Sequence, residues 1–436
     1  MAKVTSRNAA RKSAYLMDCA KTYYPEPITL VSGEGAYVTD DEGRRYLDFF
    51  AGIAVLVAGH NHPKVNAAVH DQLDRIVHTS TLYLNEPVLD LAEKLSELAP
   101  PGLDKVFIGN SGTEANELAA VLARHFTKHS EFIALAHAYH GRSAWTVGLT
   151  GLSAWRNFGG EPSKIVFAPN AYCYRCPLHL TYPSCEIACA KAVEDVIKTE
   201  TSGRVAAYFA ETIQGVGGII TPPPEYYGIV KQILDKFDIL FIADEVQTAW
   251  GRLGKNLFGI SDWGVTPDIV TSAKGLGNGF PISVVIARRE IADAYQGPHI
   301  NTFGGNPVSS RAALASLEVI EEERLTQNAA RVGAYLLAQL QTLASRHPIV
   351  GDVRGRGLML GVELVANRKT KEPAADAAER VLDLCKDKGL LIGRGGLYSN
   401  TLRIQPPLVI SIEQADAAVR ILDEALAVAD KEFAAS

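Results

Sequence analysis

ILFIADEVQT, residues 239–248, opens with five largely apolar residues and then delivers two acids, Asp244 and Glu245. A run without polar alternation is the pattern of a strand covered on both faces, as in a parallel sheet flanked by helices. Similar short runs stand at 106–109, 132–136, 206–210, 269–272 and 283–287. Helical stretches at 114–126, 188–198 and 227–236 fall between several of them. Strands alternating with helices predict an α/β fold on a mainly parallel, doubly wound sheet. Ligands of such sheets sit beyond the carboxyl ends of the strands, so the residues that follow each run carry the chemistry.

Four strand ends stand out. GNSGTEAN, residues 109–116, follows a strand and opens a helix, where unpaired N–H groups and the Ser111 and Thr113 hydroxyls suit a phosphate. The plainer reading is a capped helix start. AYHGR, residues 138–142, offers a tyrosine to stack on a ring and Arg142 to fork onto a carboxylate; alone it is a polar loop. Asp244 can pair with a protonated pyridine nitrogen and keep that ring an electron sink, or it belongs with Glu245 to a solvated acid pair. TSAKGLGNGFPIS, residues 271–283, sets one lysine after a strand with three glycines close behind. A partly desolvated lysine amine is a nucleophile towards carbonyls, and the glycines leave room for a bulky ring. A nucleotide-binding glycine loop would open into a helix, whereas PISVVIA reads as a strand. A phosphate corner, a stacking aromatic, an acid for a ring nitrogen and a glycine-flanked lysine together match one cofactor, pyridoxal 5'-phosphate (PLP).

The 436 residues suffice for two domains, at roughly 100–200 residues each. Near 320–323 the pattern changes to a long helix over 328–345, an extended segment at 357–364, a helix over 374–388 and a last helix from about 412. This predicts an N-terminal segment 1–60, a large domain 61–322 and a smaller α+β domain 323–436 that the N-terminal segment completes. A net charge of −6 gives no basic field for nucleic acid. No apolar run approaches the ~20 residues of a membrane span, so neither partner is expected. The first 17 residues carry Lys3, Arg7, Arg11 and Lys12 and no acid; a plain helix is expected there over a transit peptide, and the cytoplasm is the expected compartment. Four of six cysteines, Cys173, Cys176, Cys185 and Cys189, crowd into 17 residues: reduced thiols, a disulfide or a zinc site share that spacing. Reduced thiols are the expectation, with no metal.

The ordered motifs extend over almost the whole chain: YLDFFAGIAVLVAGHNHPKV (46–65), HTSTLYLNEP (78–87), GNSGTEA, YHGR, ETIQG (211–215), DEVQT, SAKG, TFGGNPVS (302–309), VRGRGLMLG (353–361) and LRIQPPL (402–408). Through them the chain resembles the class III aminotransferases of PLP fold type I, a group with alanine–glyoxylate, 4-aminobutyrate and ornithine members. The resemblance implies that Lys274 carries the cofactor as a Schiff base and that Asp244 is the ring-nitrogen partner. It implies that Gln247 reaches the phenolic oxygen and that Val246 packs under the ring Tyr139 covers, with His140 and Glu211 alongside. Ser111, Gly112 and Thr113 would hold the phosphate. Thr302 resembles the threonine that reaches the neighbouring subunit's phosphate, which implies a homodimer with shared sites, or a tetramer built from it. Arg403 looks like the arginine for the substrate α-carboxylate, Arg142 like that for a second carboxylate, and Tyr23 and Tyr83 fall on the substrate side.

Two departures matter. Ala249 and Leu253 replace the glycine and threonine common in the family, a local packing change. Members that alternate ω- and α-amino substrates carry after Q-G a glutamate that masks the carboxylate arginine; here Val216 stands there. The implied activity is a ping-pong aminotransferase passing an amino group from a small amino acid or amine to a 2-oxo acid such as pyruvate, glyoxylate or 2-oxoglutarate. A racemase, decarboxylase or phospho-amine lyase on the same scaffold is the alternative.

Overall fold

The computed structural model describes residues 7–156 and 164–433. Lys3 of the basic N-terminal stretch lies outside them, while Arg7–Tyr15 form a helix. Three short strands follow, β1 (Leu30–Glu34), β2 (Tyr37–Asp40) and β3 (Arg45–Asp48), paired antiparallel.

Seven strands form the large sheet: β4 (Lys105–Gly109), β5 (Glu131–Leu135), β6 (Ile165–Ala168), β7 (Val205–Glu211), β8 (Leu240–Asp244), β9 (Ile269–Ser272) and β10 (Ser283–Ala287). Their order is β4-β10-β9-β8-β7-β5-β6. Neighbours from β6 to β9 pair in parallel, and β10 alone runs antiparallel to both its neighbours. Every residue of β7, β8, β9 and β10 is buried, as unbroken apolar runs require when helices cover both faces. The chain lays β6 on one side of β5 and then returns to place β7 on the other. That reversal opens a crevice at the carboxyl ends of β5 and β7, where ligands of doubly wound sheets bind. β6 went unread in the sequence because IVFA is only four residues long and partly exposed.

Beyond the helix Pro307–Glu322, whose first turn Asn306 caps, the chain builds a second, antiparallel sheet. It comprises β11 (Val350–Arg356), β12 (Met359–Asn367), β13 (Glu372–Pro373), β15 (Gly393–Gly395) and β16 (Thr401–Ile404). Between the last three, β14 (Leu390–Leu391) adds in parallel to β3 and so ties the N-terminal strands to the C-terminal part. The stretch expected to be one extended segment at 357–364 is the turn and second arm of a β11–β12 hairpin. VRGR in the first arm is polar and half-buried, so it lacks the apolar signal that marks β12. The helices Leu325–Arg346 and Ala375–Asp387 pack on this sheet, and Ile412–Phe433 packs on both of them. No helix among the described residues is long and apolar enough to cross a membrane.

Candidate active site

β8 ends on Asp244, which is 4% exposed and bound from three sides. Asn116 Nδ2 (2.8 Å) and His140 Nδ1 (2.7 Å) meet its Oδ2, and the Val246 amide donates to Oδ1 at 3.1 Å. Asn116 is itself fixed, donating to the His140 carbonyl and accepting from Thr271 Oγ1. A helix and the segments after β5 and β8 thus hold one carboxylate in place. Its neighbour Glu245 is fully buried and takes N–H groups of Gly259 and Ile260 and the hydroxyls of Thr212 and Thr248. The two acids are therefore no solvated pair. Glu245 ties down the loop after β8, and Asp244 is left to face the site.

Asp244 lies on the wall of a cavity of about 360 Å³ that Ser111, Gly112, Thr113, Tyr139, His140 and Glu211 also line, with Val246, Gln247 and Lys274. At the helix start, Ser111 caps Gly112–Thr127 by accepting from the Glu114 amide. The capped-helix reading therefore holds, and the same turn still offers its remaining N–H groups to the cavity. Gly112 is required there, because a Cβ would come 2.9 Å from Val246 Cγ2. Tyr139 follows β5, half-buried, with its ring edge-on to Trp155 at 5.4 Å. Glu211 at the end of β7 accepts from the amides of Tyr139 and Gly215. Burial and the nearby Asp244 charge lift its carboxyl to about 7, against the pull of His140 and those two amides.

Lys274 follows β9 with φ near 44°, a left-handed conformation uncommon outside glycine. A fully buried Trp250 donates to the preceding Ala273 carbonyl and holds that turn. Burial lowers the Lys274 amine to about 8, outweighing the attraction of Asp244, and the Arg403 charge adds to the fall. Such an amine is free base over a far wider pH range than an ordinary lysine near 10.4. In cofactor-free protein, trinitrobenzenesulfonate labelling of Lys274, mapped by mass spectrometry, should rise through pH ~8 and then level off. A rate still climbing towards pH ~10.4 would place this lysine with the ordinary ones.

Arg403 on β16 is 4% exposed, and its Nη2 donates to Gln247 Oε1 and Gln405 Oε1, each at 2.8 Å. Its guanidinium lies 5.2 Å from the Phe50 ring centre. Tyr23 packs on Phe50 at 5.5 Å and exchanges hydrogen bonds with the Arg394 backbone. Arg403 is not on the cavity wall itself; Gln247 connects the two. The remaining expected residues lie apart from the cavity within this chain. Arg142 is exposed, its amide 3.4 Å from Thr113 Oγ1. Tyr83 is 71% exposed, and Thr302 is exposed beside Asn301, which is bonded to Asn110 and Glu114. Asn116, Phe280, Ile282 and Gln405 are members of the site or its wall that the sequence reading did not pick out. Asn116 closes GNSGTEAN, and Gln405 stands two residues after Arg403, the spacing that keeps strand residues on one face.

The four clustered cysteines line one small apolar pocket and, like Cys19 and Cys385, are free thiols. Burial raises Cys189 to about 11 and lifts Cys173 as well, which suits inert rather than reactive thiols. Among the described residues no group of three His, Cys, Asp or Glu side chains is set to hold a metal.

Comparison with known proteins agrees with this geometry. The family model "Aminotransferase class-III" matches residues 19–426. The mitochondrial alanine–glyoxylate aminotransferase 2 homolog 2 of Arabidopsis thaliana is 44% identical over 415 residues, covering 95% of this chain and 86% of that protein. A leucine/methionine racemase of Thermococcus litoralis is 42% identical over 406 residues, covering 92% and 91%. An amine transaminase from an uncultivated Pseudomonas species, solved in a PLP-bound form, superposes with a TM-score of 0.89 at 33% identity, covering 95% of this chain and 98% of that one.

Proposed function

The chain belongs to the class III aminotransferases and is a PLP-dependent enzyme of fold type I, and from that premise we propose that it moves the amino group of a small α- or β-amino acid to a 2-oxo acid. The observation that carries the substrate class is Arg403, a buried guanidinium that no carboxylate among the described residues pairs with. A buried cation facing neutral amides is best completed by a ligand carboxylate, which adds charge-assisted hydrogen bonds.

The residues present fit the cofactor. Asp244 is a buried acid with two neutral-capable donors and one amide, and a protonated ring nitrogen supplies the cation it lacks. Ser111, Gly112 and Thr113 would hold the phosphate at the helix start, Tyr139 and Val246 would flank the ring, and Gln247 would meet its phenolic oxygen. When bound, PLP supplies an electron sink for the substrate carbon that bears the amine. The chain's own part is to keep Asp244 ionised and aligned through Asn116 and His140, and to orient the substrate by its carboxylate on Arg403. Lys274 then takes a proton at the amine-bearing carbon and returns it elsewhere, for which an amine near 8 is suited.

We assign the shared-site homodimer on the same footing. Ile300, Phe303, Leu82, Tyr83 and Leu84 are all well exposed, and the rings of His78 and Phe303 lie 5.4 Å apart, so the two segments form one apolar surface. Such a patch is expected to be covered, and a second copy would bring Thr302 and Tyr83 towards a neighbouring cavity; sedimentation velocity reads this directly. We keep the domain boundaries at 60/61 and 322/323 as part of this proposal. Six free thiols are in keeping with a reducing compartment such as the cytoplasm, which cell fractionation tests.

Arg403→Ala should raise KM for carboxylate donors and 2-oxo acids by roughly 2–5 kcal/mol, about 30-fold to several thousand-fold. Steady-state kinetics with alanine, β-alanine and an arylalkyl amine checks this. If the carboxylates are untouched, and Arg142→Ala abolishes them instead, the two arginines exchange roles. The racemase relative favors one second reading, racemisation on the same scaffold, which differs in needing no oxo-acid acceptor.

A further inference from the structure

Gln405 is fully buried, and its two ends serve two different neighbours. Its oxygen accepts from Arg403 Nη2 at 2.8 Å, and its Nε2 donates to Gln247 Oε1 at 3.3 Å. Gln247 Oε1 accepts from the same Arg403 Nη2. The three side chains close a ring in which one nitrogen of the guanidinium is shared by two neutral amide oxygens. Arg403 Nε is buried and donates to no described residue. The surroundings leave space for the arginine and supply no acid to it. A Cβ at Gly395 would come within 2.8 Å of Arg403 Cδ, so glycine there makes room for the stem. Val216 presents an apolar side chain, and its carbonyl is taken by the Gly396 amide. Of titratable groups, Tyr23 and Glu211 act on Arg403 from a distance, and Lys274 lies within its field.

We propose that Gln405 is a specificity-determining positioning residue, which with Gln247 parks Arg403 on neutral amides that give way to a substrate carboxylate. The inference rests on the substrate reading above and deepens it. An acid in this place would hold the guanidinium by charge and compete with the substrate; an amide holds it by a weaker hydrogen bond that a carboxylate displaces. The parked arginine thus keeps its direction without losing its appetite for anions. Gln247, whose Oε1 is engaged by both partners, also lines the cavity. The same ring that stores Arg403 therefore orients the residue lining the cofactor site.

The test uses PLP-loaded protein and propanoate, an inert carboxylate, titrated by calorimetry. Wild type should bind it saturably. Gln405→Glu should weaken binding by about tenfold or more near pH 8, because its carboxylate pairs with the guanidinium that propanoate must reach. Gln405→Met, similar in shape but without a hydrogen-bonding oxygen, should bind propanoate at least about threefold more tightly than wild type, since Gln247 still holds Arg403 and one competing acceptor is gone. The proposal is overturned if wild type shows no saturable binding, if Gln405→Glu stays within about twofold at pH 8, or if Gln405→Met binds no more tightly than wild type. Should the buried acid prevent folding, Gln405→Met decides alone. Propanoate binding is read without turnover, so a protein that binds it yet makes no oxo acid from alanine defeats the substrate reading and leaves Gln405's role standing.

Discussion

Replacing Lys274 with alanine is expected to lower turnover by about 10⁴-fold, the upper end of what a positioned acid–base group contributes. No other described lysine lines the cavity, and Glu211, a wall carboxyl lifted to about 7, is already bound to two backbone amides. Asp244, Glu211 and His140 on the wall each hold at least one fixed partner. The amine is also tuned: burial brings it to about 8, where loss and gain of a proton are both accessible near neutral pH. The fold should survive, because removing a side chain that opens onto a cavity frees no packed core. The check is kcat by stopped assay beside circular dichroism and cofactor absorbance, with added methylamine expected to restore part of the rate. A loss under about tenfold would mean that another group moves the proton.

Asp244→Asn is expected to cost about 100-fold in kcat, or ~3 kcal/mol, typical of losing one preorganised electrostatic contact in a dry site. The change removes the charge and one contact, since an amide nitrogen facing the Val246 N–H cannot accept from it. Asn116 and His140 approach Oδ2, and an amide oxygen turned to that side still accepts from both. What disappears is the negative charge that a protonated ring nitrogen needs. Cofactor should therefore remain bound through the helix-start contacts, while turnover falls. Kinetics together with the cofactor content of the purified variant reads both halves. Near-normal turnover would reduce Asp244 to a strand end held for structural reasons.

How far the sequence carried this reading depended on where each signal was local. The runs that became β7 to β10 are buried on both faces, and burial on both faces is what an unbroken apolar run records. Their ends bring Glu211, Asp244 and Lys274 to one cavity with Tyr139 from β5. β6 and the first arm of the β11–β12 hairpin were hidden for the opposite reason, being short or polar and stabilised by neighbours. A sequence also cannot show which of two adjacent acids turns inward to the ligand. Asp244 and Glu245 differ only in the partners that three other segments bring to them. The same holds for Gln405, whose meaning depends on Gln247 arriving from a loop 158 residues away. Tyr83 and Thr302 point the other way: their expected roles came from resemblance alone, and within one chain they and Arg142 stand outside the cavity.

The central claim is that this cavity transfers an amino group in two separable halves. PLP-loaded protein should therefore be mixed with L-alanine in the absence of any oxo acid, and pyruvate and D-alanine measured per site. The account predicts about one equivalent of pyruvate and then arrest, with a second burst when a 2-oxo acid is added. Continued reaction without an acceptor, or D-alanine forming with no pyruvate, would contradict it.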